Sequence, residues 1–140
     1  MRLSNPPSDL PQTVEVLLAG DQNLQSALER IFQTSTWRLH HVMTCREAIE
    51  FANATETAVV ICQHRLPDGD WLALLSGLQD SGKRPNLIVT APLPDEQLWA
   101  EVLNLGGYDV LAQPFDRGEV FRVVASGWRR WRLSWKAACP

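Results

Sequence analysis

The chain has 140 residues, 45% of them hydrophobic and 21% charged, with a formal net charge of −3. That length suits one domain with one sizeable core, and the mildly acidic balance gives no general pull towards nucleic acid or an anionic membrane. No apolar run approaches the ~20 residues of a membrane span, and Met1 to Thr13 lacks the apolar stretch of a signal peptide.

Residues 1–12 carry Pro6, Pro7 and Pro11 and are expected to be a disordered leader, with a single domain over 13–140. Val14 to Ala19 reads as a first strand, followed by the turn Gly20-Asp21-Gln22-Asn23. Leu24, Ala27, Leu28, Ile31 and Phe32 then recur at amphipathic-helix spacing. Trp37 to Val42 is a short second strand, in which neighbouring His40 and His41 face opposite sides and cannot share a metal. Thr44 and Glu47 form a capping box that opens a helix through Ala48, Ile49 and Ala52. Ala58 to Cys62 is an unbroken run of apolar and small residues, the pattern of a strand covered on both faces. A polar turn with Pro67 and Gly69 leads into Trp71-Leu72-Ala73-Leu74-Leu75, a helix expected to end near Gly77 or Gly82. Pro85 to Thr90 is a fourth strand. After Pro92 and Pro94 comes a helix bearing Leu98, Val102 and Leu105, stopped by Gly106-Gly107. Tyr108 to Ala112 is the fifth strand, and Asp116 and Glu119 repeat the cap-and-Glu spacing at the start of a last helix. Strands alternating with helices predict an α/β fold, a doubly wound parallel sheet.

The last helix is unusual in its tryptophans. Val120, Val123, Val124, Gly127, Trp128, Trp131 and Trp135 lie on one face of a helix running from about Asp116 to Lys136. Roughly 20 residues make a helix about 30 Å long, so Trp131 and Trp135 are expected to overhang the domain, with Trp128 covering the sheet's own edge. Aromatics beside Arg129 and Arg132 have the composition of an interface hot spot. The expectation is a homodimer through this surface. Cys45, Cys62 and Cys139 are odd in number and contain no C-x-x-C pair, which argues against a disulfide framework or a zinc site and for a reducing cytoplasm.

Residues 58–70 resemble the third strand and following loop of a response-regulator receiver domain, with Leu66-Pro67-Asp68-Gly69-Asp70 as the loop. The likeness spans about residues 14–128. It continues in Thr90-Ala91, in Gly106-Gly107-Tyr108-Asp109 and in Pro114-Phe115-Asp116. It implies a flavodoxin-like five-stranded sheet in the order 2-1-3-4-5 with five flanking helices, and a cis bond before Pro114. It also implies a phosphorylation site, from which this sequence departs. The acceptor position holds Gln63, and an amide lacks the nucleophilic oxyanion of acyl-phosphate chemistry. The lysine position holds Gln113, and the usual switch aromatic is Val110. Asp21 is the one acid left after the first strand, either a metal-site remnant or a helix cap. Thr90 keeps the switch hydroxyl. Gln63 and Gln113 are expected to bond each other or Thr90 in a neutral, closed pocket. His64 is expected to be solvated, and Asp68 and Asp70 to serve as turn and cap.

The resemblance, with these departures, implies a phosphorelay signalling module acting as a pseudo-receiver. Its partner would be a histidine kinase or an output protein, and it would need no Asp phosphorylation, no metal and no cofactor. No catalytic residue is expected and the chain is not expected to be an enzyme. The alternative is a small-molecule sensor that uses the vacated acid pocket.

Overall fold

The computed structural model describes residues 13–80 and 82–138, the last four without side chains. The leader over residues 1–12, Cys139 and the side chain of Trp135 therefore lie outside the described residues. The sheet is built from β1 (Glu15–Ala19), β2 (Arg38–Val42), β3 (Val59–Gln63), β6 (Asn86–Ala91) and β7 (Asp109–Ala112). These run parallel in the order β2-β1-β3-β6-β7, which is 2-1-3-4-5 when only these five strands are counted. Five helices flank it: α1 (Gln22–Phe32), α2 (Cys45–Ala54), α3 (Trp71–Gln79), α4 (Glu96–Leu105) and α5 (Arg117–Ala138). This is the flavodoxin-like fold.

Period-two alternation sorts each central strand between two apolar layers. Leu17 and Ala19 of β1, with Val60 and Cys62 of β3, meet α2, α3 and α4. Val16, Leu18, Val59 and Ile61 meet α1 and α5 on the other side. Both faces are thus covered, which is why these strands are apolar throughout. Trp37 and Phe121 meet edge to face at 4.8 Å on the α1–α5 side.

Helix boundaries follow the capping chemistry. Thr44 Oγ1 accepts from the Glu47 N–H at 3.1 Å, while Glu47 Oε1 reaches back to the Met43 N–H at 3.2 Å. Asp116 Oδ2 accepts from the Glu119 N–H at 2.8 Å. Gly106 ends α4 at φ +111°, a left-handed conformation that favours glycine. Helix α3 runs through Gly77 to Gln79, where the Cα of Gly77 lets Ile49 of α2 pack closely: a Cβ there would lie 2.3 Å from Ile49 Cδ1. Between β3 and α3, where the sequence predicts only a turn, the chain adds a two-rung antiparallel ladder, β4 (Arg65–Leu66) with β5 (Gly69–Asp70). Among the described residues no helix is long and apolar enough to cross a membrane.

The long last helix forms, but Trp131 does not overhang. It is half-buried against the α1–α5 core layer. Its Nε1–H donates to the carbonyl of Lys83 at 2.9 Å, and Lys83 Nζ in turn donates to the carbonyl of Thr55 at 3.0 Å. Trp131, eleven residues after Val120, thus still meets the loop before β6, a meeting that helical spacing alone does not reveal. Trp128 packs on the same layer under the Arg132 guanidinium, 5.1 Å from the ring centre. Trp131→Ala is therefore expected to lower stability by about 2–3 kcal/mol. Trp131→Phe is expected to lose only the hydrogen bond, about 1 kcal/mol. Urea unfolding of both variants measures this; an unchanged midpoint in Trp131→Ala would contradict the assignment.

Candidate functional site

In a parallel sheet the C-terminal ends of neighbouring strands share one edge, where sites of this fold class lie. Here β3 ends at Gln63, directly paired with Thr90 of β6. Ala91 pairs with Ala112 of β7, and the Gln113 N–H donates to the Ala91 carbonyl at 3.1 Å. Register alone therefore brings Gln63, Thr90 and Gln113 together. The Gln113–Pro114 bond that follows is cis.

The side chains are joined by hydrogen bonds. Gln63 Oε1 accepts from the Asp21 N–H at 2.8 Å, tying the end of β3 to the start of α1. Gln113 Nε2 donates to Thr90 Oγ1 at 3.2 Å. Thr90 is fully buried. The two glutamines do not bond each other: each is bound to a different neighbour. Asp21 is the N-cap of α1, its Oδ1 accepting from the Leu24 N–H at 2.9 Å. These residues line an open depression of about 320 Å³, together with Asn23, His64, Arg65 and Pro92. The pocket is thus open rather than closed.

Magnesium requires near-octahedral oxygen ligands, usually with one or two carboxylates. Asp21 alone among the lining residues has a carboxylate, and one of its oxygens is already held by α1. This donor set does not fit the ion. Among the described residues no group of three His, Cys, Asp or Glu side chains is placed to hold a metal.

The other candidates have structural partners. His40 Nε2 is 2.8 Å from Glu15 Oε1, and His41 Nε2 is 2.7 Å from the Gly20 carbonyl, on opposite sides of β2. Asp70 caps α3 through the Ala73 N–H at 3.1 Å. Asp68 does more than turn the loop. Its two carboxylate oxygens accept from the N–H groups of Cys45 at 2.7 Å and Arg46 at 3.0 Å, so the loop after β3 caps α2. The bond to Cys45, then that to Arg46, holds the Asp68 carboxyl below the usual carboxylate range. Burial, followed by the charge of Asp68, pushes the Cys45 thiol up to about 11, and burial also pushes Cys62 up, so neither is a ready nucleophile.

An apolar stripe on α4 was missed by the sequence reading. Trp99 and Leu103 are four residues apart and 36% and 52% exposed, flanking the face of buried Leu98 and Val102. The signal was present in the spacing Trp99–Leu103, but Leu98, Val102 and Leu105 claimed the helix's apolar face first.

The family model for the response regulator receiver domain matches residues 16–125. No curated protein matches the chain. Among solved structures, the signal receiver domain of an HD domain-containing protein from Pseudomonas fluorescens is 21% identical, with a TM-score of 0.79 over 92% of this chain and 96% of that one. The receiver domain of a sensor histidine kinase from Pseudomonas aeruginosa, with a magnesium ion coordinated in its active site cleft, is 24% identical. Its TM-score is 0.70 over 85% of this chain and 97% of that one. The beryllofluoride-activated NtrC4 receiver domain dimer is 18% identical, with a TM-score of 0.75 over 84% and 98%.

The raised acidity of Asp68 makes its cap pH-dependent. A carboxyl depressed on folding stabilises above its unfolded value near 3.8, and that contribution is lost as pH falls from there through the folded value. Urea midpoints of the unaltered chain are expected to fall more steeply below pH 3.8 than those of Asp68→Asn. Parallel profiles would contradict the assignment.

Proposed function

This chain belongs to the response regulator receiver domain family, and we propose that within it the chain acts as a pseudo-receiver, signalling through protein contacts without Asp phosphorylation. The observation that carries this is the chemistry at the strand ends. Gln63 stands where the family resemblance calls for the phosphoryl acceptor, and its oxygen is bound to the Asp21 N–H. An amide has no oxyanion with which to attack a phosphoryl donor. Gln113 stands at the lysine position and brings no positive charge to a developing phosphoryl group. It occupies the hydroxyl of Thr90 instead. The switch that a phosphoryl group would pull is already held by a neutral neighbour.

The module is proposed as a binding partner rather than an enzyme, in the cytoplasm, where buried Cys45 and Cys62 stay as free thiols. Its partner is proposed to be a histidine kinase or an output protein, and self-association is a further mode. Support for a contact surface comes from Trp99 and Leu103 on α4, large apolar groups in water, and from the basic face of α5 with exposed Arg129 and Arg132. Trp128 and Trp131 brace that face from below.

Beryllofluoride with magnesium, a mimic of the phosphoryl group, is expected to leave the amide resonances of Gln63, Thr90 and Gln113 unshifted. A saturable, magnesium-dependent shift would overturn the reading. Replacing Trp99 and Leu103 together with Ala is expected to weaken association, with itself or with a partner, by about tenfold or more, without loss of folded structure. Sedimentation over a concentration series reads self-association directly. Association unchanged by the double substitution would remove α4 from the contact surface.

A further inference from the structure

We propose that the pocket over Gln63, Thr90 and Gln113 binds a cis-amide edge, a C=O and an N–H side by side, as carried by lactams, ureides and oxo-nucleobases. This rests on the reading that the pocket takes no phosphoryl group. The hydrogen bonds already made decide which amide atoms remain for a ligand. A backbone N–H can only donate, so the Asp21 N–H at 2.8 Å commits the oxygen of Gln63 and leaves its NH₂. Gln113 has the opposite orientation. One N–H of its NH₂ goes to Thr90 Oγ1 at 3.2 Å, which leaves its carbonyl oxygen and a second N–H for a ligand.

These remaining groups are accessible. Both glutamines are half-buried, and among the described residues no buried side-chain nitrogen or oxygen lacks a partner. The register places Gln63 beside Thr90, and Gln113 follows the strand on the other side of Thr90. Both glutamines and Thr90 line the same open depression of about 320 Å³, which offers a ligand a donor from Gln63 and an acceptor from Gln113. Their complement is one acceptor and one donor on a single edge. A cis amide has that edge. A trans peptide bond does not, because its N–H and C=O point in opposite directions. Gln63, Thr90 and Gln113 carry no charge, and the two charged lining residues, Asp21 and Arg65, are of opposite sign, which favours a ligand without net charge. The depression suits one small ring or the edge of a larger one.

The probes are 2-piperidone, its N-methyl derivative, and acetamide, the last standing for an Asn or Gln side chain of a partner. Titrated into the full chain, 2-piperidone is expected to give saturable shifts of the Gln63 and Gln113 side-chain amide resonances. N-methyl-2-piperidone lacks the donor and is expected to bind about tenfold more weakly, the cost of an unmade hydrogen bond. Gln63→Leu and Gln113→Leu are each expected to lose a similar factor. Should either fail to fold, the comparison of the two piperidones on the unaltered chain still decides. Acetamide binding tighter than the lactam supports the edge and assigns it to a protein side chain; the reverse order supports it and assigns it to a small molecule. No saturable shift with 2-piperidone or acetamide, or equal binding of the N-methyl compound, overturns the proposal. If that happens while beryllofluoride is silent, the ligand is wrong and the phosphorylation-independent reading stands. A beryllofluoride response overturns that reading, and the ligand proposal with it.

Discussion

The bond from the Asp21 N–H to Gln63 Oε1, at 2.8 Å, joins the central strand β3 to the first turn of α1 at the sheet's functional edge. Strand ends of a parallel sheet leave polar groups pointing into one crevice, and each must find a partner. Ionic solutions leave charges that shift one another's protonation and call for a metal or a counter-charge. This chain uses amides at both flanking positions. Gln63 satisfies a backbone donor and Gln113 bonds the hydroxyl of Thr90, so these two positions bring no charge to the edge.

The loop after β3 shows the same economy of charge. Residues 64–70 fold back through the bond from the Trp71 N–H to the His64 carbonyl at 3.2 Å and the short ladder between β4 and β5. This places Asp68 over the first N–H groups of α2, where a carboxylate meets both unpaired donors and the positive end of the helix dipole. The acids of this loop are thus structural: Asp68 holds α2 and Asp70 holds α3. A loop that in the family resemblance surrounds a reactive centre serves here to lock two helices beside it.

Much of this was legible in the sequence because it is local. Strand and helix periods, the Thr44–Glu47 box, the Asp116 cap and the glycine stop at Gly106 each follow from residues within one turn of one another. The identity of Gln63 and Gln113 was readable too, but their partners were not. Whether Gln63 would meet Gln113, Thr90 or the Asp21 N–H depends on where loops stand across the sheet. The same limit applies to Asp68, whose partners Cys45 and Arg46 are more than twenty positions away. Trp131 was misplaced for a related reason: spacing gives the helix face, but the Lys83 carbonyl that takes its N–H comes from another element. Trp99 was hidden by a competing apolar pattern on the same helix.

The central claim is that no side chain of this chain accepts a phosphoryl group at the strand ends. Intact-mass measurement after incubation with acetyl phosphate and magnesium tests it most directly, with peptide mapping to locate any adduct. The account predicts an unmodified mass. A stable or trappable phosphoryl adduct on a residue between Gln63 and Asp70, or on Asp21, would contradict it.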